Sequence, residues 1–326
     1  MSGVIAIGPI SKHHGEAKMF NYSCDILKEN HIVYIIDSTS SNFRVLRPWY
    51  VIGRLISIVS SKKISQIYLS YSRNKFMLFH LFTFIFFIKK IINIKCIYHI
   101  HDTSLKKNLS GRFGEIVKAL YSNCVDLTII PNETLEKYSD IGNESQIRFL
   151  PNPYIGELIS EYLYEKDAFH FISFPARFKN LDEAVRIVNQ AGVALKVIGW
   201  DKCDYYRLYP NDRQSLARIS FLGECTHNNV MKKLSRSRGL ISISDHEAMP
   251  LNVIEALLHS VPIYVKDRSG YKYFIQNFDS VKILSTPERL NDQINVDVLQ
   301  KSRDVALELF DKSKYDRGLL EIFSKL

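Results

Sequence analysis

Ser244–Pro262, SDHEAMPLNVIEALLHSVP, sets two glutamates eight residues apart, one on each side of a proline, with one further charged residue, Asp245. A proline opening a helix loses nothing, since its missing N–H would have no intrahelical acceptor, so the spacing predicts a helix starting at Pro250 or Leu251. Glu247 then falls in the turn after the β-rich run GLISIS (239–244), and Glu255 falls about a turn inside the helix. The helix start, from Met249 through Pro250 and Leu251 to Asn252, offers backbone N–H groups suited to a phosphate. A plainer account makes Glu247 a solvated turn acid favoured by the helix dipole. Glu255 is harder to dismiss, because Val253, Ile254, Ala256, Leu257 and Leu258 are all apolar. A carboxylate in such company needs a partner, and the hydroxyls of a ligand are one candidate.

Outward from that helix the pattern repeats. VIAIG (4–8), HIVYII (31–36), SQIYLS (65–70), IKCIYHI (94–100), DLTII (126–130) and IRFL (147–150) read as strands separated by helix-length segments. After the proline-bracketed connector PNPYIGE (151–157) the alternation restarts with FHFISF (169–174), ALKVIG (194–199), ISFLG (219–223), GLISIS, VPIYVK (261–266) and VKILS (281–285). Such alternation predicts parallel sheets with crossover helices. At 326 residues the chain suits two cores rather than one. The expected fold is therefore α/β: two doubly wound Rossmann-like domains, 1–153 and 154–305, facing each other across a cleft. A C-terminal helix, 306–326, is expected to pack back toward the first domain.

Charge is uneven. Residues 1–150 carry 19 Lys and Arg against 11 Asp and Glu, while the remainder carries 24 against 23. No acid stands between Asp37 and Asp102, where ten Lys and Arg do. The first half should thus meet something anionic. Within that zone KFMLFHLFTFIFFIKKII (75–92) has an apolar run of thirteen residues, too short for a bilayer core that needs about twenty. It is either a helix buried against the sheet or one seated in a membrane interface by its aromatic residues and flanking lysines. The start, MSGVIAIGP, lacks a basic n-region and reads as a first strand, so a cytosolic location is expected. Cys24, Cys96, Cys124, Cys203 and Cys225 form no CxxC pair, which suits reduced thiols and no structural metal.

The decisive segment resembles the Glu-x7-Glu element of retaining GT-B glycosyltransferases, family 4. The resemblance runs along nearly the whole chain. FPARFKNLDEAV (174–185), LKVIGW (195–200) and ISFLGECTHNNVMKKL (219–234) resemble the family's motifs in order, and so do IRFLPNP (147–153), the glycine loop GPISKHHGEAKMF (8–20) and YHIHD (98–102). It implies that Glu247 contacts the 3- and 4-hydroxyls of the donor sugar and Glu255 the ribose. Arg177 and Lys179 would neutralise the departing diphosphate, where charge develops in the transition state. Gly15 and Gly199 would let backbone approach the donor, and His101 would touch the transferred sugar or the acceptor end. The implied donor is a UDP-, GDP- or dTDP-linked sugar, with no further cofactor and no metal. The implied acceptor is a lipid-linked glycan of bacterial surface polysaccharide synthesis (O-antigen, capsule or lipopolysaccharide core). The protein would sit peripherally on the inner face of the cytoplasmic membrane, with residues 38–101 meeting the anionic surface.

The sequence departs from the family pattern at several points. Arg177 and Lys179 are only two apart, which would place both on one side of a strand end. A single glycine, Gly15, follows His13 and His14 where the family has a pair, and Ala248 and Met249 follow Glu247 in place of a glycine and an aromatic residue. Tyr271 and Lys272 stand where an acid is usual. These departures keep open a catalytically silent GT-B protein that binds glycan or scaffolds a synthase complex. A glycoside hydrolase would set its two carboxyls across one scissile bond, unlike a turn acid and a helix acid. No recognition motif supports a nucleic-acid partner.

Overall fold

The computed structural model describes residues 3–10, 15–39, 47–70, 74–101, 109–132, 146–159 and 168–326. All twelve β-rich runs form strands, six in each of two parallel sheets. The first, β1 (Gly3–Gly8), is buried at every position, as a strand covered on both faces of a parallel sheet must be. Around it lie β2 (Ile32–Asp37), β3 (Ile64–Leu69), β4 (Lys95–His99), β5 (Leu127–Ile130) and β6 (Ile147–Phe149), in the spatial order β2-β1-β3-β4-β5-β6. The second sheet holds β7 (Phe169–Ile172), β8 (Leu195–Ile198), β9 (Ile219–Phe221), β10 (Gly239–Ser242), β11 (Ile263–Val265) and β12 (Val281–Ile283), in the order β12-β11-β10-β7-β8-β9. The chain divides into two compact units: Met1–Asn152 with Ser313–Leu326, and Pro153–Lys312.

In the first unit the helices α1 (Gly15–Lys28), α2 (Arg47–Ser61), α3 (Lys75–Ile91) and α4 (Gly111–Cys124) follow β1, β2, β3 and β4. The phenylalanine-rich helix α3 starts at Asn74, whose side-chain oxygen accepts from the backbone N–H of Phe76 at 2.9 Å, a standard N-cap. It has two faces. Met77, Leu78, Leu81, Phe82, Ile85 and Ile88, at helical spacing, are buried. Phe82 meets Tyr98 and Tyr121 edge-on, with ring centroids 6.0 and 5.6 Å away. Phe76, Phe87 and Ile91 remain exposed. The buried face bears out a helix packed against the sheet. Among the described residues no helix is long and apolar enough to cross a membrane.

In the second unit α5 (Leu181–Ala191) buries Leu181, Ala184, Val185, Ile187 and Val188 against Phe169, Phe171, Leu195, Val197 and Ile241. The decisive helix, α8 (Leu251–Leu258), is buried from Val253 to Leu258. It ends in a Schellman closure: Val261 N–H donates to the carbonyl of Ala256 at 3.0 Å and Ser260 N–H to that of Leu257 at 3.1 Å. Ser260 takes the left-handed φ of 53° that this closure requires. The helical pattern at the chain end is two helices, α10 (Val296–Leu309) and α11 (Lys312–Ser324), broken at Phe310, whose carbonyl accepts from Tyr154 N–H at 3.0 Å. The last of them belongs to the first unit. There Tyr315 shares a 2.7 Å hydrogen bond with Ser23, and Gln66 Nε2 donates to the carbonyl of Phe323 at 2.8 Å. All five cysteines are free.

The two faces of α3 predict opposite responses. Phe82→Ala should lower unfolding stability by about 3–5 kcal/mol, since it opens a cavity among Tyr98, Tyr121 and the helix. Phe87→Ser should change it by about 0.5 kcal/mol or less. Urea unfolding midpoints read both, and equal losses would contradict the described packing.

Candidate active site

In the second sheet the strand order reverses between β7 and β10, and the loops leaving their carboxyl ends diverge there, where open α/β sheets bind ligands. Lys179 comes from the loop after β7 and Glu247 from the loop after β10. Lys179 Nζ donates to Glu247 Oε1 at 2.5 Å, with side chains only 11% and 18% exposed. The ammonium also lies 5.0 and 5.1 Å from the ring centroids of Phe174 and Phe178, so a carboxylate and two π-faces hold it. The loops are stitched by Asp245 N–H to the carbonyl of Phe178 at 2.9 Å and by Asn180 Nδ2 to that of Ile243 at 3.0 Å.

Arg177 and Lys179 do not share a side. Residues 177–179 form a 3₁₀ turn, in which residues two apart point apart rather than together as on a strand. Lys179 turns inward, while Arg177 is exposed and its carbonyl accepts from Tyr209 Oη at 3.3 Å. The turn ends on Asn180 with φ 59°.

Behind Glu247 the packing leaves no slack. A Cβ on Gly270 would stand 2.0 Å from the Glu247 carbonyl oxygen. The next residue, Tyr271, is fully buried; its hydroxyl accepts from Ser244 N–H at 3.1 Å and pairs with Ser242 Oγ at 3.0 Å. Tyr271 therefore braces the strand end from which Glu247 departs. Ala248, Met249 and Pro250 are buried as well. Leu251 and Asn252 open the first turn of α8, where N–H groups have no intrahelical acceptor. Asn252 Nδ2 donates to the carbonyl of Ile172 at 3.0 Å, which ties this helix start to the end of β7.

Glu255 has found a protein partner: His227 Nε2 lies 2.9 Å from its Oε1. His227 opens helix α7 (His227–Ser235). Tyr154 is nearby, and burial followed by the Glu255 charge pushes its phenol up to about 12. His259 Nδ1 bonds the Glu255 carbonyl at 2.7 Å. Gly199 takes φ 87°, and a Cβ there would meet the Ser173 carbonyl oxygen at 2.3 Å. A backbone approach between the ends of β7 and β8 therefore requires glycine at that position.

In the first unit Gly15 begins α1, while His13, His14 and Asp102 lie outside the described residues. His101 follows β4, its ring centroid 4.0 Å from that of His99. His99 Nδ1 lies 2.7 Å from the Tyr68 hydroxyl. Both ring nitrogens of His101 are shut from solvent without a hydrogen-bond partner among the described residues. Burial lowers the pKa of both imidazoles, that of His101 to about 3. Among the described residues no three His, Cys, Asp or Glu gather as metal ligands.

No family model matches the chain, and no curated protein matches it. Solved structures do. A sucrose-phosphate synthase from Thermosynechococcus elongatus superposes with a TM-score of 0.75 at 12% identity, over 100% of this chain and 99% of that one. Anabaena HepE, crystallised with UDP-glucose, gives 0.72 at 12% over the whole of both chains. AviGT4, a glycosyltransferase involved in avilamycin A biosynthesis, gives 0.62 at 12% over 100% and 98%. The fold is GT-B.

Within this GT-B chain the structure brings together Lys179 with Glu247, and it holds Glu255 in a separate nest. The partners that sequence reasoning missed are Phe174, Phe178, His227, Tyr271 and His99. Only the aromatic spacing in FPARFKN hinted at any of them. His227 stands 28 residues from Glu255, and nothing local ties the two.

The histidine pair gives a pH dependence. Both imidazoles have folded pKa values below the ordinary 6.5, so unfolding takes up protons below that pH. Their contribution to stability is full above pH 6.5 and is lost as pH falls, toward about 3 for His101. Each adds a slope of up to about 1.4 kcal/mol per pH unit in that window. His101→Gln should flatten the acid limb of urea-derived stability against pH, and an unchanged limb would contradict the buried neutral pair.

Proposed function

We propose that this chain is a retaining, metal-independent glycosyltransferase of the family 4 kind. It moves a hexosyl group from a nucleotide-sugar donor to a lipid-linked glycan in bacterial surface polysaccharide synthesis. The Lys179–Glu247 pair at the strand-order reversal carries the reading, because it sets a cation and a carboxylate on the loops where such sheets bind nucleotides. Anabaena HepE, of like fold, has been crystallised with UDP and with UDP-glucose, which supports a nucleotide-sugar donor.

In this mechanism Glu247 accepts hydrogen bonds from the donor sugar's hydroxyls, and Glu255, oriented by His227, accepts from the ribose. The start of α8 faces the diphosphate. Negative charge grows on that diphosphate as the glycosidic bond breaks, and the Arg177 guanidinium and Lys179 ammonium stabilise it there. Lys179 arrives pre-oriented by its two phenylalanines, so little reorganisation is needed when the charge develops. In the first unit His101, kept neutral by burial, accepts or donates a hydrogen bond without adding charge.

Glu247→Gln and Arg177→Ala should each lower donor-dependent sugar transfer by about a hundredfold or more. Nucleoside diphosphate should still raise the melting temperature of the unaltered protein. Full activity in both variants would sink the enzyme reading, and absence of any thermal shift would favour a silent scaffold.

The acceptor side rests on the first unit. Trp49, at the start of α2, lies tilted against His80 with centroids 5.5 Å apart, while Phe76 and Phe79, at the start of α3, meet Phe113 with centroids 5.2 and 5.3 Å away. Lys75 stands 5.9 Å over Phe76. Trp49 and Phe76 are more than half exposed, and all these helix starts follow the carboxyl ends of their strands. An exposed aromatic rim with lysines in an acid-free zone suits an anionic membrane interface. Trp49→Ser with Phe76→Ser should abolish flotation on vesicles containing phosphatidylglycerol, and flotation indifferent to both substitutions would remove membrane seating from the proposal.

A further inference from the structure

Helix α7 connects β9 to β10 and runs back along the sheet, so His227 lies toward the carboxyl edge with Glu255 and the last turn lies toward the amino edge. Beside this helix is a cavity of about 470 Å³. Its walls are Lys196 from β8, His170 from β7, Asn229, Lys232 and Lys233 from the helix, Arg236 just after it, and Leu222 as an apolar side. Four of these seven residues are permanent cations, and none is an acid.

Bulk charge does not account for this cluster. Residues 151–326 carry 24 Lys and Arg against 23 Asp and Glu, so four cations on one concave wall are a local concentration in a nearly neutral half. Some cations elsewhere in the same unit have acidic partners: Lys179 has Glu247, Lys266 has Glu183, Arg207 has Asp204 and Arg289 has Asp292. Lys232, Lys233 and Arg236 make no ion pair among the described residues. Like charges gathered around a hollow repel one another, and that repulsion is relieved by an anion that fills it.

We propose that this cavity binds a small, multiply charged anion through a phosphate or diphosphate group, at a site separate from the donor site. The chemistry of the wall suits that group. Arg236 presents a planar fork of donors to phosphate oxygens, the lysines supply compact charges, and Asn229 supplies a neutral amide. The volume suits a phosphorylated small molecule rather than a polymer. His170 is fixed by a 2.8 Å contact between its Nδ1 and Ser237 Oγ, so the floor is preorganised.

Inorganic pyrophosphate is the probe, titrated calorimetrically into the full chain. Saturable binding is expected. It should persist in Arg177→Ala and under saturating UDP, weaken by about tenfold for each cation removed in Lys232→Ala and Arg236→Ala, and fade with added salt. These side chains are exposed, so thermal midpoints without ligand should hold; Lys233→Glu gives an independent variant. Flotation on phosphatidic acid vesicles separates the two sources: sensitivity to Lys232→Ala/Arg236→Ala assigns the phosphate to a lipid headgroup, and insensitivity to a soluble ligand. The proposal is overturned if pyrophosphate does not bind, if the Lys232, Lys233 and Arg236 variants bind it unchanged, or if Arg177→Ala or UDP abolishes binding.

Discussion

The contact between Lys179 and Glu247 depends on one topological fact: strands 169–172 and 239–242 are neighbours in space although 66 residues of chain separate the end of one from the start of the other. Because the strand order reverses there, the loops that follow them leave in opposite directions and frame a hollow. A cation from one loop and a carboxylate from the other meet across it. Losing either would strand a charge that is mostly withdrawn from water, a situation that typically costs about 3–5 kcal/mol. Glu247 and Lys179 therefore maintain one another's position, and neither loop is set independently.

Much of the surrounding architecture supports that pair. Tyr271 braces the end of strand 239–242, Gly270 leaves room for the Glu247 backbone, and Asn252 joins the next helix to strand 169–172. Tyr271 places a phenol, rather than a charged group, beneath the site and serves as its strut. Ala248 and Met249 are likewise buried, whereas Arg177 on the facing loop is exposed.

The fold was legible because parallel strands buried on both faces leave continuous apolar runs, and all twelve runs became strands. Glu247 and the start of helix 251–258 were legible for a related reason: proline placement and the strand-to-helix turn are local properties. The partners were not local. His227 reaches Glu255 only after α7 has packed beside α8, and Tyr271 reaches Ser242 from 29 residues away. A two-residue spacing misled at Arg177 and Lys179, since its meaning differs between a strand and a 3₁₀ turn. The phenylalanine-rich helix 75–91 was ambiguous in sequence because composition reports how much apolar surface exists and not which side it occupies.

Helix 312–324 has a bearing on the order in which this molecule is completed. Gln66 and Tyr68, on a strand in the middle of the first sheet, close against Phe323, and Ser23 closes against Tyr315. A ribosome delivers the strand and its partners about 250 residues apart, so the first unit is sealed by residues that follow the whole of the second. The second unit, whose strands and helices between Pro153 and Lys312 are contiguous in the chain, has all its pieces earlier. The first unit waits with an apolar face open, which makes the interval of synthesis between them its period of greatest exposure to aggregation.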